Sequence, residues 1–299
     1  MSVINTNIAA IQAAHASNRA SQMTGQAMQR LSTGMRINSA ADDAAGLAIS
    51  NTMTSQINGM HQAVSNANDG VSLAQTAGGA LTEVTNMLQR IRELAVQSSS
   101  GTYEASDRSA MQSEVSNLTQ QISGILTTTA FNGVNVFAIT SGTPASNGSN
   151  DITTTIQVGA NRGESVVIDS PAFNGGALFG ANGGTGQTAY NGASGTTQAM
   201  DVSSQTTSST TITNADTIIG EVNATQSALG AAQNRLTSVV ANLNTDITNL
   251  SAARSRIQDT DYSAETTNLA KAQILSQAST AMIAQANQSQ QSVLSLLKG

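Results

Sequence analysis

Residues 53–95 read MTSQINGMHQAVSNANDGVSLAQTAGGALTEVTNMLQRIRELA, and this stretch decides the fold. Its apolar residues recur at alternating spacings of three and four, which is typical of helices that pack along their whole length. Ten of the thirteen seam positions are apolar. The seam comprises Met53, Ile57, Met60, Val64, Ala67, Val71, Ala74, Gly78, Leu81, Thr85, Leu88, Arg92 and Ala95. The repeat predicts one long helix, or two nearly continuous ones, of roughly 75 Å.

Two further stripes have the same period. One lies between Met111 and Ile125, and the other lies between Val222 and Ile257. Both prolines fall between the flanks, at 144 and 171, so the strongest helix breaker is absent from the three stripes. The pattern predicts a mainly α fold: an elongated antiparallel helical bundle or coiled coil formed by the N- and C-terminal flanks, with a small β-rich central segment.

The central segment has a different composition. The stretch FNGVNVF alternates apolar residues around Asn-Gly and predicts a tight hairpin near residues 129–137. TTTIQVGANRGESVVIDS, residues 153–170, predicts two short strands. Residues 174–195 are mostly small and polar, so residues 138–215 are expected to form a short solvent-facing segment of strands and loops.

The two ends of the chain carry thin apolar stripes among Ala, Gln, Asn and Ser, with almost no charge. Such helices have little ionic support and are expected to be marginal alone in water, so they need partners. The candidate seam residues of the ends are Ile4, Ile8, Ile11, Ile274, Met282, Val293 and Leu296.

Composition disfavours several classes of protein. The net charge is −6, and aromatic residues are only 2% of the chain, so nucleic-acid binding is not expected. The chain has no cysteine, no apolar run long enough to span a bilayer and no ordinary secretory signal. Neither His15 nor His61 has a nearby carboxylate cluster, and no catalytic triad, P-loop or metal spacing is present. An enzyme, a cofactor and a metal are therefore not expected.

Charge is concentrated in QRIRELAVQ, residues 89–97. One interpretation is an ordinary solvated helix face with a local Arg–Glu pair. The other is a contact between subunits, because Arg90, Leu94 and Gln97 lie in line and combine forked donors with an apolar anchor. Periodicity favours neither interpretation.

Six blocks of this sequence resemble bacterial flagellin, the subunit of the flagellar filament. They are LSTGMRINSAADDAAGLAIS, QRIRELAVQSSSGTY, FNGVNVF, IQVGAN, SRIQDTDYSAET and AQILSQASTAMIAQANQSQQSVLSLL, and they occur in the family's order. The resemblance covers about two thirds of the chain, and the short middle resembles flagellins that lack large outer domains. It implies an inner coiled coil of residues 1–40 and 263–299, disordered in the monomer, and a helical rod of residues 41–137 and 216–262.

The resemblance also implies the function. The chain is expected to polymerise head-to-tail into the helical flagellar filament for swimming motility. In similar flagellins the RIRELA helix packs on neighbouring subunits, and the same surface of the monomer is recognised by the host Toll-like flagellin receptor. The matching positions are Arg90, Leu94, Gln97 and Glu114, beside Arg92 and Glu93. Gln285, Gln288 and Gln291 are candidates to line a central channel.

The partners and location follow from the same resemblance. The implied partners are other copies, the export apparatus, an export chaperone, the filament cap and the hook–filament junction proteins. The implied location is the extracellular flagellum, reached through the flagellar type III apparatus without a cleaved signal peptide.

Replacing residues 141–210 with a short linker is expected to leave assembly largely intact. Two alternatives stay open: a minor or junction-proximal filament protein, and a cytoplasmic coiled-coil adaptor.

Overall fold

The computed structural model of the protein describes residues 6–142, 144, 149–182, 185–192 and 196–298, with side chains left out at 182, 185, 196, 197 and 293–298. Contacts divide the chain into two compact units. Unit 1 comprises Met1–Ile57 and Thr248–Gly299, and unit 2 comprises Asn58–Ile247. The sequence places its domain boundaries near residues 40 and 263, whereas the units divide inside two long helices.

Helices dominate the described residues, which confirms the mainly α prediction. The helices are α1 (Ile8–Thr33), α2 (Ala44–Ser99), α3 (Ala105–Thr128), α4 (Gly175–Phe179), α5 (Gln205–Gln258) and α6 (Tyr262–Lys298). The strands are β1 (Ala130–Phe131), β2 (Val134–Asn135), β3 (Ile139–Thr140), β4 (Ile152–Gln157), β5 (Ser165–Ser170), β6 (Phe173–Asn174), β7 (Ala181–Asn182), β8 (Thr185–Gly186) and β9 (Thr196–Thr197).

In unit 2, α2 buries a face that is wider than the predicted seam. At every second position of the predicted seam, the buried residue is the one just before the predicted residue. Helix α2 contacts both α3 and α5, so it buries a wider face than a seam with two positions in each seven residues. The predicted positions Val64, Val71, Gly78, Thr85 and Arg92 are only partly buried or exposed. The buried positions are the residues just before them, namely Ala63, Gly70, Ala77, Val84 and Ile91.

Two antiparallel strand pairs follow α3 in the chain. Strand β1 pairs with β2 across Asn132 and Gly133, whose φ angles of 50° and 80° are both positive, as a type I′ turn requires. Strand β4 pairs with β5 over six residues, from Ile152 opposite Ser170 to Gln157 opposite Ser165. The structure therefore contains the predicted hairpin and the two predicted short strands, which pair with each other.

The prediction that residues 138–215 face the solvent is wrong for a large part of that segment. Phe173, Leu178, Phe179 and Val202 are fully buried in the same core cluster as α2, α3 and α5. The Phe173 ring meets Phe137 edge to face, with centroids 5.9 Å apart. A few large side chains suffice here, because the long helices supply the rest of the apolar area that covers them.

In unit 1, α1 and α6 pack antiparallel. Asn7 Nδ2 donates to the Ala286 carbonyl at 3.1 Å near one end, and Tyr262 Oη donates to the Leu31 carbonyl at 3.1 Å near the other. Apart from Glu265, which lies 3.9 Å from the Arg30 guanidinium, the buried side chains between these ends are small: Ala20, Ala27, Ala272, Ser279 and Ala286. Small side chains allow a close approach of the two helices but remove little apolar area from water.

The turn after α1 is joined to the end of α5. The Arg36 main-chain N–H donates to the Gln258 carbonyl at 2.7 Å, and its guanidinium donates to the Ile257 carbonyl at 2.6 Å. Gly34 takes the left-handed conformation that ends α1, with φ of 71°. Arg36 thus donates to the carbonyls of the last two residues of α5, where the helical hydrogen-bond pattern ends.

Candidate interaction surfaces

Arg90 on α2 forms the centre of a charged cluster, defined as Arg90, Glu93 and Glu114. Its Nε donates to Glu114 Oε1 on α3 at 2.8 Å, and its Nη1 donates to Glu93 Oε2 at 2.8 Å. The hydrogen bonds that Arg90 donates to Glu114 and Glu93 raise the pKa of Arg90 above its ordinary value. All three side chains remain partly exposed. The local Arg–Glu pair therefore exists, and the same guanidinium also links two helices of one chain.

Arg92 forms a second ion pair nearby. Its Nε donates to Asp216 Oδ1 on α5 at 2.6 Å, and this bond raises the pKa of Arg92. The sequence assigns Arg92 to the buried seam, but its side chain is exposed, because the buried stripe of α2 passes through Ile91 instead. Arg90 thus connects α2 to α3, and Arg92 connects α2 to α5.

Leu94 and Gln97 differ in their surroundings. Leu94 is only 2% exposed and belongs to the core of unit 2, so within one chain it is not open to a partner as the interpretation of a contact between subunits requires. The reason is helical spacing, since Leu94 lies three residues after the buried Ile91. Gln97 is exposed, and its Nε2 donates to Tyr103 Oη at 3.0 Å. Glu93, whose side chain is 68% exposed, and Gln97 are both open to a partner.

Arg108 is a buried side chain that sequence reasoning missed. Its guanidinium donates to the carbonyls of Ser98, Ser100 and Tyr103, at 2.6, 2.9 and 3.1 Å. These carbonyls lie at the end of α2 and in the turn that follows, where no intrahelical donor is available. The only signal in the sequence is a basic residue shortly after a predicted turn, which does not distinguish a buried cap from a solvated arginine.

Glu221 on α5 is a half-buried carboxylate. It accepts a hydrogen bond from the Asn174 main-chain N–H at 2.9 Å. Burial raises the pKa of Glu221 above its ordinary value of 4.5, and the hydrogen bond from Asn174 opposes this rise only in part. The ionised carboxylate at neutral pH therefore costs the folded state some stability.

We expect Glu221→Gln to raise the melting temperature at pH 7. The folded-state pKa lies above the unfolded one, so the wild-type chain regains the lost stability as pH falls through the folded pKa. The difference between the two proteins is expected to vanish below about pH 4.5. Thermal melts across this range measure it, with the exposed Glu83→Gln as the matched control. A difference that does not change with pH would contradict the assignment.

Unit 1 carries large apolar side chains that its own helices leave uncovered. Ile8, Ile11, Ile274 and Met282, predicted as seam residues, are each about half exposed or more. The prediction of a buried seam within one chain is wrong for these four residues, because the buried positions of α1 and α6 are mainly alanine and serine. We define the terminal apolar surface as Ile8, Ile11, Met23, Met28, Ile274, Leu275 and Met282.

Six further candidate residues lie near the two ends of the chain. Gln285, Gln288 and Gln291 are exposed on α6, so each is available to solvent. Ile4 lies outside the described residues, and the side chains of Val293 and Leu296 lie outside the described part of α6. These three stay predictions.

Among the described residues, no group of three or more His, Cys, Asp or Glu side chains is placed to hold a metal ion. None of the helices, as far as the structure describes them, combines the length and hydropathy needed to cross a membrane. The surfaces that stand out are therefore the charged cluster and the terminal apolar surface.

Comparison with known proteins gives full-length relatives. Residues 4–142 match the bacterial flagellin N-terminal helical region, and residues 212–297 match the bacterial flagellin C-terminal helical region. A flagellin of Halalkalibacterium halodurans is 41% identical over 297 residues, which covers 99% of this chain and 100% of that protein. A flagellin of Bacillus subtilis is 39% identical over 310 residues and covers 99% of each chain. The flagellar filament 33 kDa core protein of Treponema phagedenis is 39% identical over 298 residues, covering 99% of this chain and 100% of that protein.

Proposed function

The chain belongs to the bacterial flagellin family and is a structural subunit of the extracellular flagellar filament, and we propose that it joins other copies chiefly through its terminal apolar surface. Polymerisation with other flagellin subunits follows from the family. The family is one of structural proteins rather than enzymes. The finer proposal is about which residues make the contacts and when the ends become ordered.

The observation that supports this proposal most directly is the exposure of the Ile274 and Met282 side chains, which are 66% and 61% exposed. All seven side chains of the terminal apolar surface are at least 41% exposed, and exposed apolar area on a soluble protein is available for interaction with a partner. The α1–α6 contact itself buries mainly alanine and serine, so a single pair of these helices gains little from burial. Further copies on several sides supply the missing apolar contact and offset the entropy of ordering the ends.

We therefore expect residues 1–40 and 263–299 to be disordered in the monomer and helical in the filament. In this proposal the helices α1 and α6 describe the assembled state. Hydrogen exchange on the monomer and on the polymer measures it, with amides of α3 as the internal control. Strong protection of residues 8–31 and 274–292 in the free monomer would contradict the proposal, because the ends would then be ordered before assembly.

The charged cluster is proposed as a second contact between subunits. We expect Arg90→Ala combined with Glu93→Ala to raise the critical concentration for polymerisation severalfold, with little change in the melting temperature of the monomer. An exposed pair contributes little within one chain, whereas its loss at an interface recurs at every subunit. Sedimentation of polymer from a concentration series measures the first effect, and thermal melts measure the second.

The matched control removes another exposed local pair. Asn161→Ala with Glu164→Ala breaks a hydrogen bond of 3.0 Å in the turn between β4 and β5, far in sequence from the charged cluster. We expect this variant to polymerise like the wild type. Equal losses in melting and in assembly for the Arg90 and Glu93 variant would favour the purely intramolecular interpretation.

The proposal also includes the partners and route that the family resemblance implies. These are the export apparatus with passage through the type III channel, an export chaperone, the filament cap, the junction proteins and, for the monomer, the host Toll-like flagellin receptor. The lack of cysteine is compatible with passage of an unfolded chain, since no disulfide has to open. Glu114→Ala and Arg90→Ala monomers are expected to bind the receptor more weakly than wild type, whereas Asn161→Ala is not.

A further inference from the structure

We propose that Asn132, at the tip of the β1–β2 hairpin, is a site of spontaneous conversion to aspartate and isoaspartate in the folded protein. Six asparagines of the chain precede a glycine. A following glycine favours this reaction, because it has no side chain to hinder the approach of its own main-chain nitrogen. The structure distinguishes Asn132 from two other members of this set, Asn58 and Asn174.

The reaction is intramolecular. The main-chain nitrogen of Gly133 attacks the Asn132 Cγ, the Cγ–Nδ2 bond breaks, and ammonia leaves with the proton of the amide, so that a five-membered succinimide forms. Water then opens the ring at one of its two carbonyls. One opening gives aspartate, and the other gives isoaspartate, in which the main chain runs through the former side chain.

The surroundings of Asn132 permit this step. Asn132 and Gly133 are both exposed, and no other group lies within 4 Å of the position that a side chain on Gly133 would take. The hairpin is a separate two-stranded sheet with only two register pairs, Ala130 opposite Asn135 and Phe131 opposite Val134. Such a short pair is marginal, so brief opening frees the turn to reach the reactive conformation.

Two other Asn–Gly pairs, at 58–59 and 174–175, are held in conformations that oppose the reaction. Asn58 and Gly59 lie in the interior of α2, where the main chain is fixed by helical hydrogen bonds. The Asn174 side chain accepts from the Ala177 N–H at 3.1 Å, and Gly175 is buried. The pairs at 147–148 and 182–183 include residues outside the described ranges, and the Asn191 carbonyl accepts from Gln198 at 2.9 Å. Asn58 and Asn174 therefore serve as internal controls.

The product has two physical consequences. A new carboxylate adds one negative charge to the net charge of −6. Isoaspartate also lengthens the main chain of a two-residue turn by one carbon, which is incompatible with the pairing of Phe131 with Val134 across that turn. The modified hairpin is expected to lose its register.

Peptide mapping by mass spectrometry tests the proposal on the full-length monomer. The protein is incubated at mildly alkaline pH, and the replacement of NH₂ by OH is followed at each site over time. We expect Asn132 to convert roughly tenfold or more faster than Asn58 in the folded chain. In guanidinium chloride the two sites are expected to convert at similar rates, since both precede glycine.

Asn132→Gln is the matched variant. Its longer side chain has to close a six-membered ring, so conversion at position 132 is expected to stop while the other sites keep their rates. The proposal is overturned if the folded wild-type chain converts Asn132 no faster than Asn58 while the denatured chain converts both. The test depends on no assumption about polymerisation.

Discussion

Phe179→Ala is expected to lower the free energy of unfolding by about 3–5 kcal/mol, the usual cost of removing a fully buried aromatic side chain. Phe179 belongs to α4, inside the segment that the sequence assigns to the solvent, yet it lies in the core cluster of unit 2. Its removal leaves a cavity that the long helices around it are unable to close. Chemical denaturation of the monomer measures the change.

The matched control lies in the same segment. Val167 points outward on β5 and is 47% exposed, so Val167→Ala is expected to change stability by only about 0.5 kcal/mol. If Phe179→Ala costs no more than this control, the central segment is not part of the core. By the same argument, replacing residues 141–210 with a linker is now expected to destabilise unit 2 severely.

Ile11→Gln combined with Ile274→Gln is expected to raise the critical concentration for polymerisation by roughly 10- to 100-fold. In the single chain these side chains are 49% and 66% exposed, so each retains apolar area to bury against a neighbour. About 1 kcal/mol or more for each isoleucine gives an effect of this size. The melting temperature of the monomer is expected to stay close to that of the wild type, because neither residue lies in a folded core.

Val167→Gln is the control for this experiment, since it replaces an exposed β-branched side chain of unit 2 in the same way. We expect it to polymerise normally. An unchanged critical concentration for the Ile11 and Ile274 variant would show that the terminal apolar surface is not a contact between subunits. Polymer yield after sedimentation and electron microscopy of the pellet provide the measurement.

Sequence reasoning succeeded where the physical signal is local. The three-and-four spacing of residues 53–95 depends only on helix geometry, and α2 indeed runs from Ala44 to Ser99. The dipeptide Asn132–Gly133 predicts its turn because few residues accept two successive positive φ angles. An acidic residue before a helix favours a helix start, and the Asp261 carboxylate accepts from the Ser263 N–H at 2.9 Å at the beginning of α6.

Sequence reasoning failed where the answer depends on which other segment is adjacent. Arg92 fits a seam counted along α2 alone, but the contacts with α3 and α5 place the buried stripe one residue earlier, at Ile91. From its place along α2 alone, Leu94 is compatible with an exposed or a buried position, and only the placement of α3 and α5 decides between them. The caps made by Arg108 link residues that have no periodic relation to each other.

The sequence by itself determined the long helices, the position of the hairpin turn and the low apolar content of the two ends, because helix periodicity, turn conformation and composition are properties of short stretches. Only the tertiary structure decided that Phe173 and Phe179 are core residues and that Ile274 is exposed. Burial is a property of two or more surfaces together. A segment with few large side chains is buried when long helices cover it, and a large side chain stays exposed when its partner helix offers only alanine.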